Sequence, residues 1–425
     1  MKDKLLHRNV ILTGFTSFFT DVSSEMIYPL LQAFIATIMA AQTVLLGPVL
    51  GIIEGLAEST ASITKVFSGY FSDRLGKRKN ISIAGYGTSA VSKILFLLAS
   101  LGWYIVLLAR FFDRIGKGIR TAPRDALISE STPKNMQGRA FGFQRGMDFA
   151  GAAVGAIICY FLVVHFLDPD TGGIKDLWSY NIIFMISIIP ALVGVVFLFF
   201  IKEMSRAGAK PTEKSPKDLS GKKAGAKKEA ARPSFNLGNY PKGLQVFFLA
   251  QAFFTLGNST NQFLLLRSML LGAELPLVIL MYLVFNTAST ILSPVFGSLS
   301  DKVGKKNVLL IGYSLYALVY MAFGFITTQV QFLLWIFWPV YGIYYALTEG
   351  VEKAFVSELA PAGSRATALG FYHTITGVGL LPASALAGLL FMFGQALPFI
   401  FGGGMAVITV LIIVLFVKKP AQGRA

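Results

Sequence analysis

The chain has 425 residues, a single cysteine (Cys159), and charge on only 14% of its positions. One cysteine makes no internal disulfide and matches no multi-cysteine metal pattern. The scarcity of charge excludes more. A soluble chain of this length needs about 25% Asp, Glu, Lys and Arg to clothe its surface. Here 54% of the residues are hydrophobic, 37 of them phenylalanine, so something other than water must solvate them. The composition predicts an all-α membrane protein. The phosphate loop G-x-x-x-x-G-K-[ST] is also missing, which excludes ATP as a motor. No nucleophile–base arrangement or metal cluster stands out, so no enzyme, cofactor or bound metal is expected.

What is present is apolar sequence in long runs. Crossing about 30 Å of hydrocarbon takes roughly 20 helical residues. Twelve runs qualify: 9–38, 44–72, 80–100, 102–128, 141–166, 179–201, 241–268, 276–300, 307–327, 331–355, 367–392 and 395–417. The first, second and fourth carry charges that depress their hydropathy. No cleavable signal peptide is apparent, because "MKDKLLHRNVILTGF" leads into a segment holding Asp21 and Glu25 without a small-residue cleavage site.

Lys and Arg placement sets the orientation. Lys2, Lys4, Arg8, the loops at 73–79 and 301–306, the stretch after 201, and Lys418, Lys419 and Arg424 fall on one side. The opposite loops are short and poor in Lys and Arg; "LDPDTGGIKDLW" at 167–178 has three Asp and one Lys. Both termini are therefore expected in the cytoplasm, with the chain in the cytoplasmic (inner) membrane. The net charge of +16 is then mostly this bias, not a nucleic-acid surface. Residues 202–242 hold eleven Lys or Arg against four Asp or Glu. Their Pro, Gly and Ala content predicts a basic flexible linker at 202–240, solvated or resting on anionic lipid.

That linker splits the runs into six plus six, and a repeat follows. Gly69 and Gly297, Asp73 and Asp301, Gly76 and Gly304, Pro133 and Pro361, and Gly151 and Gly379 are all 228 positions apart. "FFTDVSSEM" at 18–26 also aligns with "FFTLGNSTN" at 253–261, at a different offset because the linker intervenes. The chain reads as an internal duplication, with an N-terminal unit at 1–201 and a C-terminal unit at 241–425.

The phrase G-x-x-x-D-[RK]-x-G-x-[RK]-[RK] resembles the signature loop of the major facilitator superfamily. Gly69, Asp73, Arg74, Gly76, Arg78 and Lys79 match it fully. Gly297, Asp301, Lys302, Gly304 and Lys306 match in the second half, where Asn307 replaces the last basic residue. "DVSSEMIYPLL" and "RIGKGIRTAPRDALI" are similar to a prokaryotic branch of uncharacterised permeases. The resemblance implies twelve transmembrane helices in two pseudo-symmetric six-helix bundles that rock about a midplane site. It also implies that Gly69, Asp73, Arg74, Gly76, Arg78, Gly297, Asp301 and Gly304 latch the bundles in the outward-open state. A purely topological role would explain the basic residues but not the two aspartates.

An ionisable side chain within a span costs at least ~2.5–3.5 kcal/mol at the centre, so it must face a cavity or a partner. The first half has many. Asp21 and Glu25, and again Glu54 and Glu58, are spaced i,i+4; Lys93, Arg145 and Asp148 follow on other spans. The fourth run carries Arg110, Asp113, Arg114, Lys117, Arg120 and Arg124, which at 100° per residue share an arc of about 120°. Depth along the helices levels Asp21 with Arg114, Glu25 with Arg110, Glu58 with Lys93, and Asp148 with Arg120. In the family the fourth helix often carries R-x-x-Q-G, with its arginine linked to proton transfer. Arg114–Gly118 fits with Lys117 in place of Gln, and Arg110 is the other arginine in register. Asp21, Glu25, Glu54, Arg110 and Arg114 are thus candidates for proton coupling or substrate contact, against the alternative of permanent structural ion pairs. The antiporter glycine–proline pattern of the fifth helix is incomplete, since "GMDFAGAAVGA" at 146–156 lacks proline.

The second half offers uncharged groups, Asn258 and Asn261, and a single face with Trp338, Tyr341, Tyr345 and Glu349 at i, i+3, i+7 and i+11. These are candidates for a substrate cavity, against plain packing. The function expected is secondary active transport of a small organic solute with protons, by a monomer in lipid, without nucleic acid. Anion uptake or exchange and efflux of amphipathic compounds both stay open, as does a sensor or scaffold with a transporter body.

Overall fold

The computed structural model describes residues 6–75, 78–133, 137–202, 237–361 and 364–417, apart from the side chains of 66, 70, 73, 74, 137–139, 365 and 366. Among the expected latch residues, Gly76 and the side chains of Asp73 and Arg74 lie outside the described residues, as does most of the expected linker.

Among the described residues, helices form every regular element: α1 (Arg8–Ile27), α2 (Leu31–Ile38), α3 (Leu46–Leu75), α4 (Arg78–Phe96), α5 (Trp103–Glu130), α6 (Gln137–His165), α7 (Leu177–Phe199), α8 (Lys242–Gly257), α9 (Gln262–Leu270), α10 (Leu275–Val303), α11 (Lys305–Phe325), α12 (Leu334–Leu359), α13 (Arg365–Phe393) and α14 (Leu397–Phe416). One isolated bridge joins Leu167 to Ile174 in the acidic loop. Among the described residues, eight helical stretches are long and apolar enough to cross a membrane. Helices α1, α2, α4, α5, α8 and α9 fall short of that standard: α8 is 16 residues long, and α5 carries the cationic face. The stretch containing α3 passes despite Glu54 and Glu58.

Two of the expected runs are broken. The chain leaves α1 through a tight 3-10 turn at Tyr28–Leu30, where Pro29 supplies no amide donor. It leaves α8 at Asn258 and resumes helix at Gln262. Non-helical backbone at membrane depth survives only inside protein, where other groups satisfy it. Tyr316 donates to the Gly257 carbonyl at 2.9 Å, and the Gln262 amide donates to the Tyr28 carbonyl at 2.8 Å. The two breaks therefore touch each other.

Helix boundaries follow the sequence repeat: α6 and α13 are displaced by 228 residues at both ends. Helix α1 packs on α6 and α7, and α5 on α3 and α4; α8 packs on α13 and α14, and α12 on α10 and α11. Helix α3 then runs against α13, and α6 against α10. The α3–α13 seam is made of small residues that let backbones approach. A Cβ on Gly51 would lie 2.2 Å from the Ser384 carbonyl oxygen. Ser59 adds a hydrogen bond of 2.8 Å to the Gly377 carbonyl. On the outside, Ile189 and Phe199 of α7 and Leu411 and Leu415 of α14 are exposed, as a lipid-facing surface requires.

Candidate functional site

The site is built around α5. Six of its charged side chains, from Arg110 to Arg124, share one face, and that face turns inward: Arg110, Asp113, Arg114 and Arg120 are buried. Close packing brings partners within reach. At Gly116 an added Cβ would come 2.6 Å from the Gly85 carbonyl of α4, so only glycine allows the two helices this near.

The arginines deep in the helix are matched by α3. Arg110 donates from Nε and Nη2 to the two oxygens of Glu54, both at 2.7 Å, and Glu54 is fully buried. Such a bidentate pair is the strongest geometry available to these groups. Arg114 reaches Glu58 at 2.8 Å. On the far side of α5, Lys93 of α4 meets Asp113 at 3.3 Å and Ser24 at 3.3 Å.

These pairs differ from those that depth along the helices suggests. Neither Asp21 nor Glu25 forms an ion pair with α5, because α1 packs mainly on α6 and α7 while α3 lies directly along α5. Glu54 and Glu58 take the arginines instead. Lys93 finds Asp113 rather than Glu58, since α4 and α3 flank different sides of α5. Asp148 stands 3.8 Å from Arg124. Arg120 donates to the Ser89 hydroxyl and lies over the Tyr86 ring, 4.7 Å from its centroid. Glu25 accepts a hydrogen bond of 3.1 Å from Tyr282 of α10.

A cavity of about 550 Å³ lies against this network, opening at the end where α3 and α5 finish, with exposed Lys65 and Arg145 at its rim. A smaller chamber of about 190 Å³ continues inward. Asp21, Glu58, Lys117 and Arg120 belong to the walls of both, and Glu25, Arg110, Arg114 and Tyr282 line the inner one. Of the five first-half candidates, four thus meet at one chamber, and Glu54 supports it from behind through Arg110.

The second-half candidates are placed differently. Trp338 and Tyr341 line neither cavity; they are fully buried in a ring cluster with Phe285, Tyr316 and Tyr320. Trp338 donates to Ser268 at 3.1 Å and Tyr341 to Asn261 at 2.9 Å, so their polar atoms are spent on packing. Tyr345 stacks edge-on to Phe285, and Asn258 donates to the Tyr344 hydroxyl at 3.4 Å. Glu349 meets Arg145 of α6 at 3.4 Å, an ion pair between the two halves of the sequence. Sequence reasoning missed Glu352, which is buried between Tyr313, 2.8 Å away, and the Tyr372 hydroxyl. The signal was a second carboxylate three residues after Glu349 in an apolar helix.

Around the loop phrases, Arg78 pairs with Glu130 at 2.8 Å, and Lys305 bridges Asp301 at 3.2 Å and Glu358 at 3.0 Å. Gly304 ends α10 with φ +92°, the left-handed region that favours glycine. Gly69 faces Ala122 of α5, and the position of Gly297 is open.

The family model for the Major Facilitator Superfamily matches residues 13–269 and 247–425. An uncharacterized MFS-type transporter of Methanocaldococcus jannaschii is 36% identical over 419 residues, covering 97% of this chain and 95% of the relative. The cis,cis-muconate transport protein of Acinetobacter baylyi is 26% identical over 379 residues, 87% of this chain and 85% of that protein. The crystal structure of a D-xylose-proton symporter superposes with a TM-score of 0.73 at 17% identity, over 97% of this chain and 98% of the other. At that identity the similarity is one of fold.

Proposed function

The chain belongs to the Major Facilitator Superfamily and is a multi-pass membrane transporter, not an enzyme; from this premise we propose that it moves a small organic solute by alternating access, coupled to protons. In this reading α1 with α2, and α8 with α9, each make one discontinuous span. The chain then has twelve spans in two six-helix bundles, 1–201 and 241–425, joined by the basic linker at 202–240, with both termini cytoplasmic. The cavity faces the cytoplasm, and the contact of the two helix breaks closes the opposite side, so the conformation is inward-open.

One observation carries the coupling. Asp21 lies in the wall shared by both chambers, with no hydrogen bond or ion pair among the described residues, while the deep α5 arginines beside it are already paired. A carboxyl group in that position can take or lose a proton without dismantling the fold. Names given to relatives support the class: one transports cis,cis-muconate and one couples xylose to protons. The latch belongs to the same cycle, with Asp73 and Asp301 engaging when the cavity closes.

Counterflow in liposomes tests this reading directly. Organic anions, sugars and amphipathic compounds would be offered with and without a pH gradient. Uptake of one class that a gradient drives uphill is expected; no solute movement under any gradient would contradict it.

A further inference from the structure

We infer that the solute is a compact organic carboxylate, held between Lys117 and Arg120 and admitted together with protons on Asp21 and Glu25. This rests on the transport reading above and adds to it the substrate class and the residues that select it.

The argument begins with charges left over once pairs are removed. Arg110 and Arg114 are taken by Glu54 and Glu58, Lys93 by Asp113, and Arg124 by Asp125 and Asp148. Two cations remain in the wall common to both chambers. Lys117 is exposed to the cavity, and its ammonium makes no hydrogen bond or ion pair among the described residues. Arg120 is only 6% exposed, yet its described partners are a hydroxyl and a ring rather than a carboxylate. A guanidinium at that depth with no carboxylate in direct contact can take an anion when the nearby carboxyl groups are neutral. The pair sits one helical turn apart on α5, so one small anion can touch both.

The walls limit what else can enter. None of the side chains around the inner chamber is aliphatic, and its main apolar surface is the rings of Tyr28 and Tyr282. Its 190 Å³ is also below the ~300–1,000 Å³ of sites for drug-sized ligands. A solute seated in the inner chamber is therefore small.

The remaining carboxylates supply the coupling. Asp21 is faced by Lys117 and Arg120 from α5, by Glu58 from α3, which Arg114 neutralises, and by Asp148 from α6; Glu25 follows it on α1 and is held by Tyr282. With Asp21 and Glu25 ionised, the two leftover cations are balanced and an added anion gains little. With them protonated, Lys117 and Arg120 outnumber the one carboxylate left over where Asp125 and Asp148 share Arg124, so the site is net positive. Carboxylate and protons therefore load together, and binding tightens as pH falls through the range in which Asp21 and Glu25 take protons.

Thermal stabilisation of the purified full chain by succinate, benzoate, xylose and tetraphenylphosphonium, at pH 5.5 and 7.5, reads this binding. Succinate or benzoate should stabilise, more strongly at pH 5.5, and the other two should not. Lys117→Gln should weaken apparent affinity by about tenfold, the value of one charge-assisted hydrogen bond. Arg120→Lys keeps the charge and tests the fork, with a smaller loss in the same direction. Stabilisation by xylose or tetraphenylphosphonium alone, no stabilisation by either carboxylate, or unchanged carboxylate affinity in Lys117→Gln would overturn the inference. The transport reading fails separately, if a carboxylate that stabilises the protein is not moved across liposomes.

Discussion

Arg110 and Glu54 form a two-pronged ion pair, with both bonds at 2.7 Å, at a depth where neither side chain has appreciable contact with solvent. The pair joins α5 to α3, and Lys93 with Asp113 joins α5 to α4. Three helices are thereby locked by charge rather than by apolar packing alone, which leaves the rest of the α5 face free for the cavity.

Glu54→Gln removes the counter-charge and leaves Arg110 buried and unpaired. The expected loss is about 3–5 kcal/mol of stability, the usual cost of breaking a buried pair from one side. A thermal unfolding curve in detergent measures it. An unchanged midpoint would mean that Asp113, 3.9 Å from Arg110, suffices as a partner.

The seam between α3 and α13 predicts a contrast between two glycines. Gly51→Val places methyl groups into the Ser384 backbone and should destabilise by about 1–3 kcal/mol. Gly87 has open space where its Cβ would go, so Gly87→Ala should be neutral or raise stability by up to about 1 kcal/mol through helix propensity. Equal effects at both sites would remove the seam's special role.

Arg145 and Glu349 bridge the two halves at the cavity rim, with side chains 55% and 44% exposed. An exposed pair contributes only about 0–1 kcal/mol, so melting temperature should hardly move. Opening and closing rates are the sensitive readout. Arg145→Glu should alter transport rate, and Arg145→Glu with Glu349→Arg should restore it. A double variant no better than the single one would show that the contact has no part in the cycle.

Asp73→Asn should slow conformational exchange and lower turnover while the protein still inserts and folds. Its counterpart Asp301, at the end of α10, is exposed and pairs with Lys305 of α11 at 3.2 Å. Normal turnover of the Asp73→Asn protein in vesicles would reduce the aspartate to a marker of topology.

Much of this was legible in the sequence because membranes impose simple rules. The lipid demand for apolar helices exposed the eight stretches that, among the described residues, are long and apolar enough to cross a membrane, and the offset of 228 residues reappears in the paired bounds of α6 and α13. The one-sided charge of α5 followed from helical geometry, and so did its burial. Partner choice was not legible. Depth along a helix places Asp21 level with Arg114, but which helix lies beside α5 depends on packing at Gly116 and along α3, which periodicity does not encode. The aromatic face of α12 misled for a related reason: i, i+3, i+7 spacing identifies a face without saying whether it meets a cavity or another helix. Trp338 and Tyr341 meet other rings.

The central claim is that Asp21 couples proton movement to transport, and one variant measured in two modes tests it. Asp21→Asn protein in liposomes should lose uphill accumulation under an inward-acid pH gradient yet keep solute exchange at equal pH. A structural role would lower folded protein and both activities together. An Asp21→Asn protein that still concentrates solute against a gradient would contradict the account.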